Sequence, residues 1–556
     1  MAYSKDNSLN FDIISWDTIS NYLKENIQIK RNSQNDHWLQ LLNERVANSH
    51  RELARSTPAV NSYMQWIRSR GKNIKAGSKT IQSSILGPKI NEGELIDVRI
   101  SCRGPDDKLY DRDEQLRQRL PRGCTLIQCK LKDEAHPRLD FGLFALRKFS
   151  GGLGDDDDRE DDNQGWLRYF LEHPQTASQI ICTRKINGEA CHLSCIALPP
   201  DNRLMLIAGS KNVHLCFRTH SDISMYGNES TYNYASSFCH TILDVLSSMP
   251  DQGSMLLNFL SLTRYTAVFE ILNYSHQHIV NLSYLKNENN GSQLKFITFS
   301  QVPQDFEQIV TNLCALPPDY AIEIARCLHL STTDYDIIEN QPNLLNEYLT
   351  SIKYRHECEG SVLYFLNKND QVIGLLKKKT IWYVILRAIR EKARPMLAGW
   401  EKNHKLDLSD TIDRTSRRLN AIQKWLRFSN EILDQWKMLA GQFLKWLAEG
   451  AKKKVITRNN VADEYPMLWS KFLRETNNVD DFMIKMIDKS GEEDVWKQLN
   501  EMKINEKKPN KEHKTGHARK TKQPSDLEYE EDIDLALQDL DDDDNNNNNN
   551  DDDEEN

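Results

Sequence analysis

The chain has 556 residues and no apolar run that approaches the roughly 20 residues of a bilayer span. The longest, around residues 381–389, is broken by Arg387, so spanning helices are excluded. Residues 1–10 lack the basic-then-apolar order of a secretory leader. No cysteines stand in a Cys-x-x-Cys pair, and the eleven present, an odd number, are scattered from Cys102 to Cys358. That pattern excludes a disulfide framework and a four-cysteine zinc site, and it fits reduced thiols in the cytoplasm or nucleus. Cys191, His192 and Cys195 lie close together without a second ligand pair, so they read as buried strand residues. The aspartates from Asp155 to Asp158 lack the spacing of a calcium loop and read as part of a solvated acidic loop over residues 151–164.

What is present is a chain long enough for two or three cores, 39% hydrophobic and 28% charged. Its net charge of −9 is unevenly placed, because acidic residues collect at 155–162 and from Asp526 onward. The remainder is close to neutral or basic, which leaves room for a phosphate-binding surface.

Three- and four-residue spacing of Ile14, Trp16, Ile19, Tyr22 and Leu23, then Trp38, Leu41, Leu42 and Val46, predicts a helical N-terminal region over residues 1–90. Short alternating segments then predict strands at 95–101, 125–131, 141–146, 180–183, 192–197, 204–207 and 213–217. Further strands are expected at 265–272, 278–285 and 294–298, helices at 232–262 and 319–349, and a hairpin of 362–367 with 372–377. The fold class is therefore α+β, with antiparallel sheets and helices over residues 91–385. Only helical spacing follows, giving an all-α domain over 386–503 with Trp425, Trp436 and Trp446 as core anchors. Residues 504–556, first basic and then acidic and asparagine-rich, should be disordered.

The chemistry-bearing stretch is Cys182-Thr183-Arg184-Lys185-Ile186-Asn187-Gly188, which presents one lysine between an apolar run and a glycine. Lys185 should lie at a strand end or in the following turn, with Gly188 supplying the backbone freedom of that turn. A lysine amine attacks phosphorus only when unprotonated, so a nucleophilic Lys185 predicts other cations close by to lower its pKa. Further along, Glu270 ends an apolar strand, Glu359 precedes another, and Lys377 and Lys379 share one strand face.

In order and spacing, these stretches resemble the motifs of the covalent nucleotidyltransferases, and most closely those of RNA ligases of the phage T4 RNA ligase 1 family. The resemblance is carried by Lys185 to Gly188, by Phe269-Glu270 with Ile279-Val280, by Glu359 to Val362, and by Lys377, Lys379, Trp382 and Tyr383. Ser210-Lys211 and Arg147-Lys148-Phe149 match stretches that follow and precede the nucleophile. The likeness covers about residues 120–390. It implies an adenylyltransferase domain that joins RNA 5′-phosphate and 3′-hydroxyl ends, with Lys185 carrying AMP taken from ATP. It also implies contacts to the nucleotide from Arg147, Lys148, Gly188, Lys211, Glu270, Lys377 and Lys379. Glu359 would hold Mg²⁺, with Mn²⁺ as a substitute. ATP and RNA ends are the expected partners, with no membrane, and the chain is expected to act as a monomer. Two positions depart from the family pattern. Asn187 stands where aspartate is usual, which removes a charge beside Lys185. Gln128-Cys129-Lys130 replaces Glu-Cys-Arg-Gly, leaving Arg147 as the candidate for the two-point phosphate contact that lysine cannot make. A DNA ligase or capping enzyme fits less well, since both carry a β domain after the last motif. The other alternative is an RNA-binding protein that keeps the fold without the reaction.

Overall fold

In the computed structural model, the described residues are 9–478 apart from 32–35, 50–56, 103–105, 152–164, 228–229, 288–290, 307–309 and 406. The acidic loop and the basic and acidic tail lie outside the described residues, as does the end of the expected helical domain. No described helix is long and apolar enough to cross a membrane. All eleven cysteines are free, and Cys191, His192 and Cys195 are buried in one strand.

Among the described residues, fourteen strands form three sheets. β1 (Ile74–Ile81), β2 (Ile90–Ile100), β3 (Cys124–Leu131) and β4 (Arg138–Phe144) make an antiparallel meander. β5 (Ser150–Gly151), β6 (Gln179–Lys185), β12 (Tyr335–Glu339), β13 (Gly360–Leu366) and β14 (Val372–Lys379) make a sheet ordered β12-β6-β13-β14-β5. Between them in sequence, β7 (Glu189–Leu198), β8 (Arg203–Ser210), β9 (His214–Phe217), β10 (Tyr265–Asn273) and β11 (Ser292–Gln301) make a sheet ordered β11-β10-β7-β8-β9. Every pairing between these strands is antiparallel except the short β14–β5 contact. The protein is thus a mixed α+β fold with antiparallel sheets and a helical C-terminal region.

The period-two alternation of β6 shows how the cores divide. Ile181 faces a core shared with the β7–β11 sheet and its covering helices, Ser230–Ser248 and Pro250–Thr263. Ile180 and Cys182 face a second core closed by the helix Pro342–Lys353. Leu95, Ile127 and Leu143 of the first sheet pack on Ile196, Met205 and Ile207 of the β7–β11 sheet.

Several boundaries differ from the sequence expectation. β1 pairs with β2 from Ile74↔Ile100 to Ile81↔Gly93, so the first sheet straddles residue 90. The N-terminal helices also share cores with the sheets: Ile19, Leu23, Trp38 and Leu42 join the core of the β7–β11 sheet, and Tyr63 and Trp66 that of the first. The region is therefore part of the α+β body. The helix Ile381–Asn403 packs into the helical core from Ile381 onward, which moves that boundary ahead of residue 386. In that core Trp436 is buried, with Trp425 and Trp446 packed against it.

Two element expectations fail for local reasons. Residues 278–285 form no strand. Their backbone donors are satisfied by side chains instead: Ile279 N and Val280 N donate to Asn187 Oδ1, and Leu282 N donates to Gln277 Oε1. The helix expected over 319–349 is split into Pro318–Cys327 and Pro342–Lys353 by β12. This is a five-residue edge strand whose exposed Asp336 and Glu339 hid its alternation.

Candidate active site

Lys185 is the last residue of β6, and after three intervening residues the chain enters β7 in a different sheet. The lysine therefore sits at the seam between two sheets. Register puts Gly360 of β13 opposite Lys185 on one side and Lys379 of β14 on the other. The next row on that face runs Thr183, Val362, Lys377. Lys185, Lys377 and Lys379 thus share the face of Ile181 and Leu375. Lys185 and Lys379 stand two strands, roughly 10 Å, apart. Gly360 has φ 145° there, and a Cβ on it would lie 1.9 Å from Lys378 O, so only glycine fits between the lysines.

Around the Lys185 amine the partners are acidic. Nζ lies 2.8 Å from Glu359 Oε1, with the lysine side chain 22% and the glutamate 6% exposed. Asn187 Nδ2 donates to the other oxygen, Oε2, at 3.2 Å and to Tyr383 Oη at 3.4 Å. Gly188 N donates to Glu270 Oε1 at 3.1 Å. Burial works to lower the Lys185 pKa, but Glu359 and Glu270 outweigh it and hold the amine above its ordinary value. Burial pushes the Glu270 carboxyl up to about 7, against the pull of Lys185 and with the help of Glu359. The expected basic cluster at Lys185 is therefore not what the fold builds. Two carboxylates are the stronger neighbours, and Arg387 is the cation that acts against them.

Local structure explains the motif spacing. Thr380 N donates to Glu359 O, and its hydroxyl both donates to Cys358 O and accepts from Tyr383 N, capping the helix that starts at Ile381. The strand carrying Lys377 and Lys379 is thus fastened to the Glu359 segment, and Tyr383 is delivered to Asn187 from the first helical turn. Lys379 Nζ lies 6.0 Å from the Tyr383 ring centroid. Trp382 turns elsewhere, lining a cleft with Ile279, Trp469 and Arg474 at the helical region. Gly188 is needed for close approach and not for turn freedom, because a Cβ there would lie 2.3 Å from Ile271 O.

A second group centres on Asp106, which sequence reasoning missed. Arg122 Nη2 is 3.0 Å and Lys211 Nζ 3.9 Å from its Oδ2. Lys148 pairs with the adjacent Asp107. Burial would raise the Asp106 pKa, but Arg122, Lys211, Lys148 and Lys377 outweigh it and hold it below the usual carboxylate range. Lys148, Lys211 and Lys377 are thereby brought together. Arg147 is not with them: its Nε donates to Gln118 O at 2.5 Å, its guanidinium packs over Phe144, and burial pushes its pKa down to about 10. Its expected phosphate contact has no support in this placement. Neither Asp106 nor Arg122 belongs to a motif, so only the tertiary arrangement reveals them.

For a magnesium ion the donor set is suitable. Glu359 and Glu270 offer carboxylate oxygens beside Lys185, and Mg²⁺ takes one or two carboxylates with water and phosphate oxygens.

A protein family described as Domain of unknown function (DUF7920) matches residues 85–390, more than half of the chain. The chain belongs to that family. No curated protein matches it. Among solved structures, it is similar to an archaeal ATP-dependent RNA ligase at 11% identity and a TM-score of 0.34, over 80% of this chain and 83% of that one. It is also similar to a Naegleria gruberi RNA ligase solved as two lysine-to-alanine variants with ATP and Mn. These are 11% and 12% identical, each with a TM-score of 0.25, over 56% of this chain and 96% and 97% of theirs.

Proposed function

We propose that the chain is an ATP-dependent RNA ligase that joins RNA 5′-phosphate and 3′-hydroxyl ends through an AMP carried on Lys185. The observation that carries the proposal is the contact of Lys185 Nζ with Glu359 Oε1 at the end of β6, within electrostatic reach of Glu270 and on the face of Lys377 and Lys379. Four separate sequence motifs meet there. Among the described residues, every helix or strand from Ile381 onward is a helix, which favours an RNA ligase over relatives with a β domain at this point.

Phosphoryl transfer at such a site needs positioning and charge neutralisation more than proton relays. Lys377, Lys379, Lys211 and Lys148 supply positive charge for a polyphosphate. Lys185 is held as an ammonium by Glu359, so the amine must shed a proton before attack, and Glu270, with a pKa of about 7, is matched to receive it. Glu359 would hold a magnesium ion, which would supply charge neutralisation on the phosphates. Asn187 keeps Glu359 aligned with Lys185 throughout.

Incubation of the full chain with α-labelled ATP and magnesium tests the proposal. Covalent label is expected on the wild type and not on Lys185→Ala, with subsequent joining of 5′-phosphorylated RNA. Label that persists in Lys185→Ala defeats the assignment. A wild-type chain that takes no label but binds RNA supports the alternative, a non-catalytic RNA-binding role.

A further inference from the structure

Beside the junction with the helical region, three metal-ligating side chains converge. Glu189 opens β7, and His276 and His278 follow β10; their donor atoms all lie within 4.8 Å of one another. His276 Nε2 is 3.6 Å from Glu189 Oε1. Two ligands of one zinc ion, each about 2.0–2.2 Å from it in tetrahedral geometry, stand roughly 3.4 Å apart, so the spacing suits a shared ion.

The site is built rather than accidental. The other ring nitrogen of His276, Nδ1, lies 2.7 Å from Asp463 Oδ1 in the helical region. A carboxylate there fixes the tautomer with hydrogen on Nδ1 and leaves the Nε2 lone pair for a metal. The intervening Gln277 is fully buried and clamped: its N donates to Asp463 O at 2.8 Å, its Nε2 donates to Tyr274 O, and its Oε1 accepts from Leu282 N. Just beyond, Ile279 N and Val280 N are held by Asn187. The backbone carrying both histidines is therefore fixed at either end before any ion arrives. Glu189 and His276 are 31% and 32% exposed, which gives an ion a route in and leaves a coordination position open to solvent.

We propose that Glu189, His276 and His278 form a zinc site, with Asp463 as the group that orients His276. Two imidazoles and one carboxylate suit zinc, whereas magnesium prefers oxygen donors alone. The ion would pin the start of β7 and the loop after β10 to the helical region through Asp463. The inference does not depend on the ligase proposal, since none of these residues acts in it.

The test uses the full chain without an affinity tag, stripped with a chelator and titrated with Zn²⁺ against a chromogenic competitor, then with Co²⁺. One Zn²⁺ per chain is expected, and Co²⁺ in its place should show the intense visible bands of a four-coordinate ion. His278→Ala should lose that equivalent, Glu189→Gln should weaken it at least tenfold, and Asp463→Asn should weaken it by about tenfold or more. The two conservative variants should melt with the metal-free wild type, which separates lost binding from lost folding. A wild-type chain that retains no zinc, only a six-coordinate cobalt spectrum, or an equivalent that survives His278→Ala overturns the proposal. So does binding that disappears only together with the fold.

Discussion

Asn187 and Glu359 are joined by a 3.2 Å hydrogen bond from the amide Nδ2 to Oε2, while Lys185 occupies Oε1 of the same carboxylate. The amide can make this contact because it donates to Glu359 and Tyr383 while its oxygen accepts from Ile279 N and Val280 N. A carboxylate at this position could do the second task but not the first.

Asn187→Asp should therefore add negative charge beside Lys185 and hold its proton more tightly. The rising limb of adenylate labelling against pH is expected to move upward by about one unit. Asn187→Ala instead leaves two backbone donors unpaired and should destabilise the protein by about 2 kcal/mol or more, read from urea melts. An unchanged pH profile in Asn187→Asp would contradict the arrangement.

Glu270 carries a second pH signature. Its folded pKa of about 7 lies above the ordinary 4.5, so between those values the folded chain binds more protons than the unfolded one. Stability from this group is present below pH 4.5 and is lost as pH rises through 7. Glu270→Gln removes the titration, so its stability relative to wild type should improve by about 2–3 kcal/mol between pH 5 and pH 8. Parallel denaturant melts of both proteins at the two pH values read that difference directly.

Gly188→Ala should act on geometry. A methyl group 2.3 Å from Ile271 O must push the loop away from β10 and break the Gly188 N to Glu270 bond. A displacement of about 1 Å at a reacting group costs around a hundredfold in rate. Labelling should fall by that order while circular dichroism stays close to wild type.

Asp106 occupies the centre of the cations Arg122, Lys211, Lys148 and Lys377, where a polyphosphate would compete with it. Asp106→Asn should lower the KM for ATP several-fold and leave the Lys185 requirement intact. Lys211→Ala should do the opposite, raising KM. A KM for ATP that rises in Asp106→Asn would separate this cluster from nucleotide binding.

The sequence made much of the candidate site legible because three of its residues stand at strand ends, where an apolar run meets a charged residue: Lys185 closing β6, Glu359 just before β13 and Lys379 closing β14, with Glu270 inside the apolar run of β10. The sheets around them were legible through the short apolar runs of β6, β7, β8 and β10. Other features depend on contacts between distant segments. β12 is short and acidic and shows no alternation strong enough to interrupt a helix reading. Residues 278–285 look like a strand by composition but are held by Asn187 and Gln277, through contacts that local sequence does not show. The acidic setting of Lys185 was likewise hidden, because lysines two strands away share its face while Glu359 arrives at the next strand's edge.

Because only Ile186, Asn187 and Gly188 separate β6 in one sheet from β7 in another, the surroundings of Lys185 are complete only when both sheets are in place. Each sheet can pair its own strands beforehand, but Glu270 reaches the lysine from one and Glu359 from the other. A molecule with correct secondary structure and undocked layers would be chemically silent at that amine, so covalent labelling would count native molecules in a refolding mixture where spectroscopy counts both.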